Sequence, residues 1–191
     1  LGGLFGVVLV ALAQIWWTVL VGAAAIAAAW FYTGGRKPYG YLGLGELFVF
    51  VFFGLVAVNG TAYAITLQPS WAALLASIAI GLLAVALMLT NNLRDIPTDT
   101  LAGKRTLAVR LGEKGTRALF TATLLVPFVL MVPVIIVHLP AALVLLALPL
   151  AIGPVRTVLG GAMGRDLIPV LGATGRLELV YSLLLLIGLL I

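Results

Sequence analysis

Residues with a clear chemical use lie close together in one short stretch of an otherwise apolar chain. Asn91, Asp95 and Asp99 recur every four residues, a spacing that places side chains on one face of a helix. Two carboxylates and an amide offer the oxygen ligands that hard divalent cations take. Pro97 disfavours helical geometry at the residue before it, so Asp99 is expected just past a break in the helix. The stretch predicts a divalent-metal site made from a helix end and a loop.

Three basic residues share this stretch, and they are Arg94, Lys104 and Arg105. Cationic side chains form charge-assisted hydrogen bonds with phosphate oxygens, so acids and bases together favour a metal-bridged phosphate site. A solvated loop in which Asp95 and Asp99 only balance neighbouring bases has the same pattern. Spacing alone does not separate the two interpretations.

The composition identifies the surroundings of these residues as a membrane. Of the 191 residues, 63% are hydrophobic and 9% are charged, whereas a soluble domain carries roughly 25% charged residues. We predict an all-α integral membrane protein, because a spanning barrel would show short segments of alternating polarity. The net charge of +5 does not indicate a nucleic-acid partner, because the basic residues do not form a basic face on a soluble domain. The absence of cysteine excludes disulfides and thiolate chemistry.

Seven apolar runs approach the length of about 20 residues that a helix needs to cross a bilayer. The first run is short and begins at Leu1 inside an apolar stretch, so we expect the chain to lack an N-terminal part. The runs cover roughly residues 1–13, 15–32, 47–67, 71–89, 118–137, 141–155 and 172–191.

The charged residues gather at alternate connections between these runs. Two Lys or Arg residues follow the second run, six follow the fourth, and three lie around the connection between the sixth and the seventh. The six acids lie on the same side. By the positive-inside rule this side faces the cytoplasm. Charged helix ends that face an apolar interior suit a substrate with an ionic head and a hydrocarbon tail.

A second stretch, residues 32–46, reads YTGGRKPYGYLGLGE. Arg36 and Lys37 supply two positive charges where an anionic head could dock. The alternative is a basic loop that only fixes the membrane topology, with Tyr32 anchored at the interface, and the stretch alone favours this alternative. The phenylalanines that follow either line a tunnel for a lipid tail or pack against lipid and core.

Together, residues 32–46 and 91–112 resemble the UbiA superfamily of intramembrane prenyltransferases, and most closely its 1,4-dihydroxy-2-naphthoate polyprenyltransferase branch. Weaker similarity continues through residues 167–181. The resemblance implies nine transmembrane helices around a central cavity, with two Asp-rich motifs on the cytoplasmic side. This chain would hold helices three to nine and the second motif as a single transmembrane domain, 1–191. The first motif has no match here, so the chain alone is expected to lack transferase activity.

The resemblance also implies roles for individual residues. Asn91, Asp95 and Asp99 match the second motif, which in the family supports Mg²⁺ and the diphosphate. Lys104 matches a basic residue downstream of that motif and would act with Asp95 and Asp99 in catalysis. The residues implied in binding the diphosphate or the acceptor are Tyr32, Arg36, Lys37, Arg94 and Arg105.

The implied reaction joins polyprenyl diphosphate to 1,4-dihydroxy-2-naphthoate and releases CO2 and diphosphate to give demethylmenaquinone. It would take place in a bacterial plasma membrane, among membrane lipids, with the active site facing the cytoplasm.

A UbiA-type enzyme for 4-hydroxybenzoate or for the haem pathway is an alternative with the same fold. A membrane CDP-alcohol phosphotransferase would need an Asp-Gly-x-x-Ala-Arg run, which this chain lacks. A transporter is the non-enzyme alternative. It would place its binding groups at the membrane midplane, and the sequence gives little sign of such groups.

Overall fold

The computed structural model describes residues 2–36 and 38–191, and this part of the chain folds into helices joined by short turns. The predicted all-α integral membrane fold is confirmed. Helical segments are labelled α1 to α7 in chain order. They are α1 Gly2–Ala13, α2 Thr18–Thr33, α3 Gly45–Thr66, α4 Trp71–Leu101, α5 Leu107–Val137, α6 Leu139–Leu159 and α7 Gly164–Leu190.

The segments differ in whether they are long enough to cross a bilayer. Among the described residues, α3 to α7 are long and apolar enough to do so, with mean hydropathies between 1.6 and 2.6. The first two predicted runs form apolar helices of 12 and 16 residues, shorter than the roughly 20 residues that a span requires. Each predicted run therefore corresponds to a helix, and five of the helices have spanning length.

The central helix α4 is the most buried of the long segments and packs against α3, α5 and α7. Leu83 and Leu89 of α4 are fully buried, as are Phe120 on α5 and Tyr181 on α7. The Tyr181 hydroxyl donates to the Pro127 carbonyl over 2.8 Å. Inside a bilayer the association of helices rests on such packing and interhelical hydrogen bonds, because lipid tails are as apolar as the helices.

Helix α3 contacts α4 through a very close approach of backbones. A Cβ built on Gly54 would lie 2.6 Å from the Gly81 Cα and 2.7 Å from the Ser77 carbonyl oxygen. Only glycine fits at such a distance, and small residues in membrane helices commonly serve this purpose. The Asn59 amide donates to the Ser77 hydroxyl over 2.6 Å and links the same two helices. Around this contact α3 is π-helical, over Phe50–Asn59.

The C-terminal end of α4 differs from the sequence-based expectation. The predicted run ended at residue 89 and Asp99 was expected past a break, but α4 continues without interruption through Pro97 to Leu101. The expectation was wrong because proline disfavours a helix at the preceding residue without forbidding it. Here the Thr98 hydroxyl donates to the Asp95 carbonyl over 2.9 Å, which supplies a local hydrogen bond beside the proline.

Arg117 fastens α5 to the end of α6. The side chain is 11% exposed, and its guanidinium donates to the carbonyls of Val158 and Ala162. The Glu113 carboxylate lies 3.5 Å from the same guanidinium. Val158 lies in the last turn of α6, where carbonyls have no intrahelical donor and carry partial negative charge, and Ala162 lies in the turn that follows. Arg117 satisfies both carbonyls and is itself satisfied.

The Gly54–Gly81 contact gives a stability test. We expect Gly54→Ala to lower the free energy of unfolding by about 1–3 kcal/mol, because the added methyl group overpacks a contact between two backbones. Gly60→Ala is the matched control, because nothing lies within 4 Å of a Cβ there and alanine favours a helix by up to about 1 kcal/mol. Thermal unfolding in one detergent measures both. Equal stability of the two variants would contradict the close contact.

The two ends of α4 give a test of topology. Ser70 caps the N-terminus of α4 and Thr100 lies in its last turn, and both are exposed. The chain has no cysteine of its own, so Ser70→Cys and Thr100→Cys provide single labelling sites. We expect an impermeant thiol reagent to reach them from opposite sides of a sealed vesicle. If both variants were labelled from the same side, α4 would not cross the membrane.

Candidate functional site

The predicted site residues lie on the last turns of α4 and on the loops beside it. Asp95 forms a two-pronged ion pair with the preceding residue, because Arg94 Nε donates to Oδ1 over 2.7 Å and Nη2 donates to Oδ2 over 2.9 Å. The paired side chains remain 31% and 38% exposed. An ion pair this accessible contributes little stability, and either partner can exchange it for a ligand.

Asp99 is held more closely. Its side chain is 9% exposed, and its Oδ1 accepts from Lys104 Nζ over 2.8 Å. The hydrogen bond to the Asp99 carboxylate raises the pKa of the Lys104 ammonium above its usual value. Lys104 therefore remains a cation over a wide pH range. Within the described part of the chain, the Asp99 Oδ2 atom accepts no hydrogen bond, which leaves one carboxylate oxygen available to a ligand.

The loop between α2 and α3 lies against the loop that carries Lys104. The Lys104 Nζ is 5.0 Å from the centroid of the Tyr41 ring, within cation–π distance. The Arg105 backbone N–H donates to the Tyr41 carbonyl over 2.9 Å, and Arg110 Nη2 donates to the Leu42 carbonyl over 2.8 Å. Residues of the stretch 32–46 therefore contact residues of the stretch 91–112 directly.

Gly43 makes this contact between loops possible. Its φ of +75° lies in the left-handed region, which glycine adopts without steric cost. A Cβ at this position would also lie 3.0 Å from the Arg105 carbonyl oxygen and 3.0 Å from Arg110 Nε. Both conformation and space therefore require glycine at the point where the loops meet.

Sequence reasoning missed a second link between the two stretches. The Asn92 amide donates to Glu46 Oε1 over 2.8 Å, and Glu46 is only 5% exposed. A buried carboxylate needs a hydrogen-bond donor, and Asn92 provides one. Glu46 is the last residue of the stretch 32–46. Nothing in the sequence paired it with an amide 46 positions away.

Aromatic rings continue from the loop into the apolar part of the fold. The Tyr32 and Tyr39 ring centroids are 5.6 Å apart, Tyr39 stacks on Phe48 at 3.9 Å, and Phe48 lies 6.0 Å from Phe52. The Tyr39 hydroxyl donates to the Ala28 carbonyl over 2.7 Å, and burial raises the pKa of this phenol. Tyr32 thus lies next to this row of rings.

The rings of Tyr39, Phe48 and Phe52 form one wall of a groove of about 440 Å³ between α2 and α3. The facing wall is formed by Ala24, Ala27, Ala28 and Phe31 of α2. The groove begins at Tyr39, next to the charged loops.

The remaining predicted residues are less closely held. Arg36 is exposed on the loop between α2 and α3, and Lys37 lies outside the described residues. Asn91 is half-buried on α4, on the turn before Asp95. Its amide lies on the helix face that carries Asp95, since the two are four residues apart.

A divalent cation fits the chemistry of the donors on α4. Within residues 2–36 and 38–191, no three His, Cys, Asp or Glu side chains cluster closely enough to hold a metal ion. The predicted set instead consists of two carboxylates and the Asn91 amide, which are hard oxygen donors of the type that Mg²⁺ prefers. Mg²⁺ usually takes only one or two carboxylates from a protein and completes its shell with water and phosphate.

Comparison with known proteins identifies the family of this chain. Residues 1–168 match the UbiA prenyltransferase family. The 1,4-dihydroxy-2-naphthoate octaprenyltransferase of Mycobacterium tuberculosis is 50% identical over 186 residues, which are 96% of this chain and 62% of that protein. The protein of the same name from Escherichia coli is 39% identical over 175 residues, or 89% of this chain and 56% of that protein.

The relative of that name from Mycobacterium leprae is 48% identical over 167 residues, which are 87% of this chain and 57% of that protein. The chain thus spans less than two thirds of the length of these relatives. The family match covers both stretches that form the site, together with α1 to α6. The chain therefore belongs to the UbiA prenyltransferase family.

Proposed function

We propose that the protein transfers a polyprenyl group from polyprenyl diphosphate to 1,4-dihydroxy-2-naphthoate and releases CO2 and diphosphate. The observation that carries this proposal is the contact between Lys104, paired with Asp99, and Tyr41 on the facing loop. It joins an acidic helix end and a basic loop beside an apolar groove. The relatives named for this reaction support the choice of acceptor.

The donor's diphosphate would bind at the cytoplasmic end of α4. Asp95 and Asp99, with the Asn91 amide, are the residues that would hold Mg²⁺. The cation would neutralise charge on the leaving diphosphate and so favour its departure. Lys104, Arg94 and Arg105 would contact phosphate oxygens that the cation does not neutralise; Arg36 and Lys37 would complete the positive surroundings from the other loop.

Both acids are already neutralised by bases in the structure, and this shapes how the diphosphate would bind. Arg94 spans both oxygens of Asp95, while Lys104 contacts only one oxygen of Asp99. Binding of a metal–diphosphate complex would exchange partners, because each carboxylate would turn to the cation and each base to a phosphate. Charge balance at the helix end is then kept before and after binding.

The apolar groove between α2 and α3 would hold the isoprenoid chain. Tyr39, Phe48 and Phe52 line it, and aromatic rings attract cations through their faces. Departure of the diphosphate leaves positive charge on the allylic carbon, and apolar walls keep water from that carbon. The electron-rich ring of the acceptor would then form the new C–C bond at the carbon that loses its carboxyl group as CO2.

The orientation of the site follows from charge. Because Lys and Arg gather at one end of the long helices, we propose that this end faces the cytoplasm of a bacterial cell. The whole chain would serve as one transmembrane domain of the enzyme. A prenyltransferase for 4-hydroxybenzoate is the second candidate, because it would use the same charged site with a different ring.

The paired acids give a test of the metal–diphosphate site in the full-length parent protein. We expect Asp99→Asn and Asp95→Asn each to lower kcat by about 10²–10³-fold, the usual effect of removing one group that stabilises charge in the transition state. Asp166→Asn is the matched control, because Asp166 is exposed on the short turn that opens α7. Protein level and helicity should be unchanged in all three.

The measurement is prenyl transfer in membranes at several Mg²⁺ concentrations. Excess Mg²⁺ should recover part of the activity if the acids hold the cation. Wild-type rates in both variants would show that the acids are only balancing neighbouring bases.

The acceptor can be identified with carboxyl-labelled substrates. We expect membranes that contain the full-length protein to release the label of 1,4-dihydroxy-2-naphthoate as CO2 while the prenylated ring accumulates. 4-Hydroxybenzoate should hardly react. Prenylation of 4-hydroxybenzoate with its carboxyl group retained would contradict the assignment of the acceptor and leave the prenyltransferase activity standing.

A further inference from the structure

A second groove lies between α5 and α6, and none of the proposed site residues lines it. Its volume is about 320 Å³. One wall is Leu125 of α5, and the other is formed by Leu148, Ile152 and Val155 of α6, with Ala151 at the bottom. Every lining residue is apolar except the last, Arg156, which closes one end. The groove therefore has hydrocarbon walls and a single positive end.

The charge at that end is available to a ligand. Arg156 is exposed in the last turn of α6, and its guanidinium makes no hydrogen bond or ion pair within residues 2–36 and 38–191. The terminal carbonyls of Val158 and Ala162, which would otherwise attract it, are taken by Arg117. The Arg117 guanidinium is therefore occupied by these carbonyls and by the Glu113 carboxylate, whereas the Arg156 guanidinium remains available.

The length of the groove matches half of a bilayer. Leu148 and Arg156 are eight residues apart, and a helix rises about 1.5 Å per residue, so the groove extends about 12 Å from the charge. One leaflet of the hydrocarbon core is about 15 Å thick. A lipid whose phosphate meets Arg156 at the surface would therefore extend an acyl chain along most of the groove.

From these three observations we infer that the groove binds an anionic phospholipid, with its phosphate on Arg156 and one acyl chain between α5 and α6. Arginine suits this role because its planar guanidinium offers two parallel donors to a phosphate. A headgroup with net negative charge is favoured over a zwitterionic one, because the latter carries its own cation and compensates the phosphate internally. The inference does not depend on the proposed reaction.

The test counts lipids bound to the full-length protein by native mass spectrometry in detergent, with phosphatidylglycerol or phosphatidylcholine added. We expect the wild type to bind phosphatidylglycerol more tightly by about fivefold, the preference that one basic residue at an anionic surface confers. Arg156→Gln should remove this preference and leave binding of phosphatidylcholine unchanged. Arg165→Gln is the matched control, an exposed arginine outside the groove, and should keep the preference.

A second variant tests the acyl chain separately from the charge. Leu125 is 40% exposed, so Leu125→Trp fills the groove with little strain in the core and should weaken binding of both lipids. Leu125→Phe is a milder replacement if the tryptophan variant does not fold. Retention of the phosphatidylglycerol preference in Arg156→Gln, its equal loss in Arg165→Gln, or unchanged binding in the filled groove would each overturn the inference.

Discussion

The cost of placing a charge in hydrocarbon governs this structure. Charged residues inside a bilayer are expensive and must be paired or lie at its edge. Here the acids and bases gather at the same ends of the long helices, and the ion pairs formed among the described residues, Arg94–Asp95, Lys104–Asp99 and Arg117–Glu113, all lie at those ends. Apolar packing fills the middle. The charged cluster and the apolar groove beside it are two results of one constraint.

Packing far from the charged residues also positions the site. The Gly54–Gly81 contact and the Glu46–Asn92 hydrogen bond both join α3 to α4. Gly81 and Asn92 are eleven residues apart, or about 16 Å along the helix. Two contacts at that separation fix both the register and the rotation of α3 on α4. The loop that precedes α3 is thereby held over Lys104, although neither glycine is near it.

Sequence reasoning succeeded where a local property decides the structure. Hydropathy predicted the helices, and the four-residue spacing placed Asn91 and Asp95 on one helix face. The local preference against helix at Ile96 gave the wrong position for Asp99, because it did not end α4 at Pro97. Sequence reasoning also failed where distant parts of the chain decide. The Glu46–Asn92 pair and the contact of Tyr41 with Lys104 depend on how α3 packs, which no local pattern records.

The difference between Arg117 and Arg156 shows how burial separates structural from available charges on one face of the membrane. Both are arginines near the end of α6, and the sequence alone does not distinguish them. Arg117 is nearly buried, and its guanidinium donates to the carbonyls of Val158 and Ala162, so its removal would take a donor from both carbonyls. Arg156 makes no such hydrogen bonds within the described residues, and it is exposed at the end of an apolar groove. Both arginines contribute to the positive charge that sets the membrane topology. An arginine with backbone carbonyls within hydrogen-bond distance links helices, and one without them remains available to bind a phosphate.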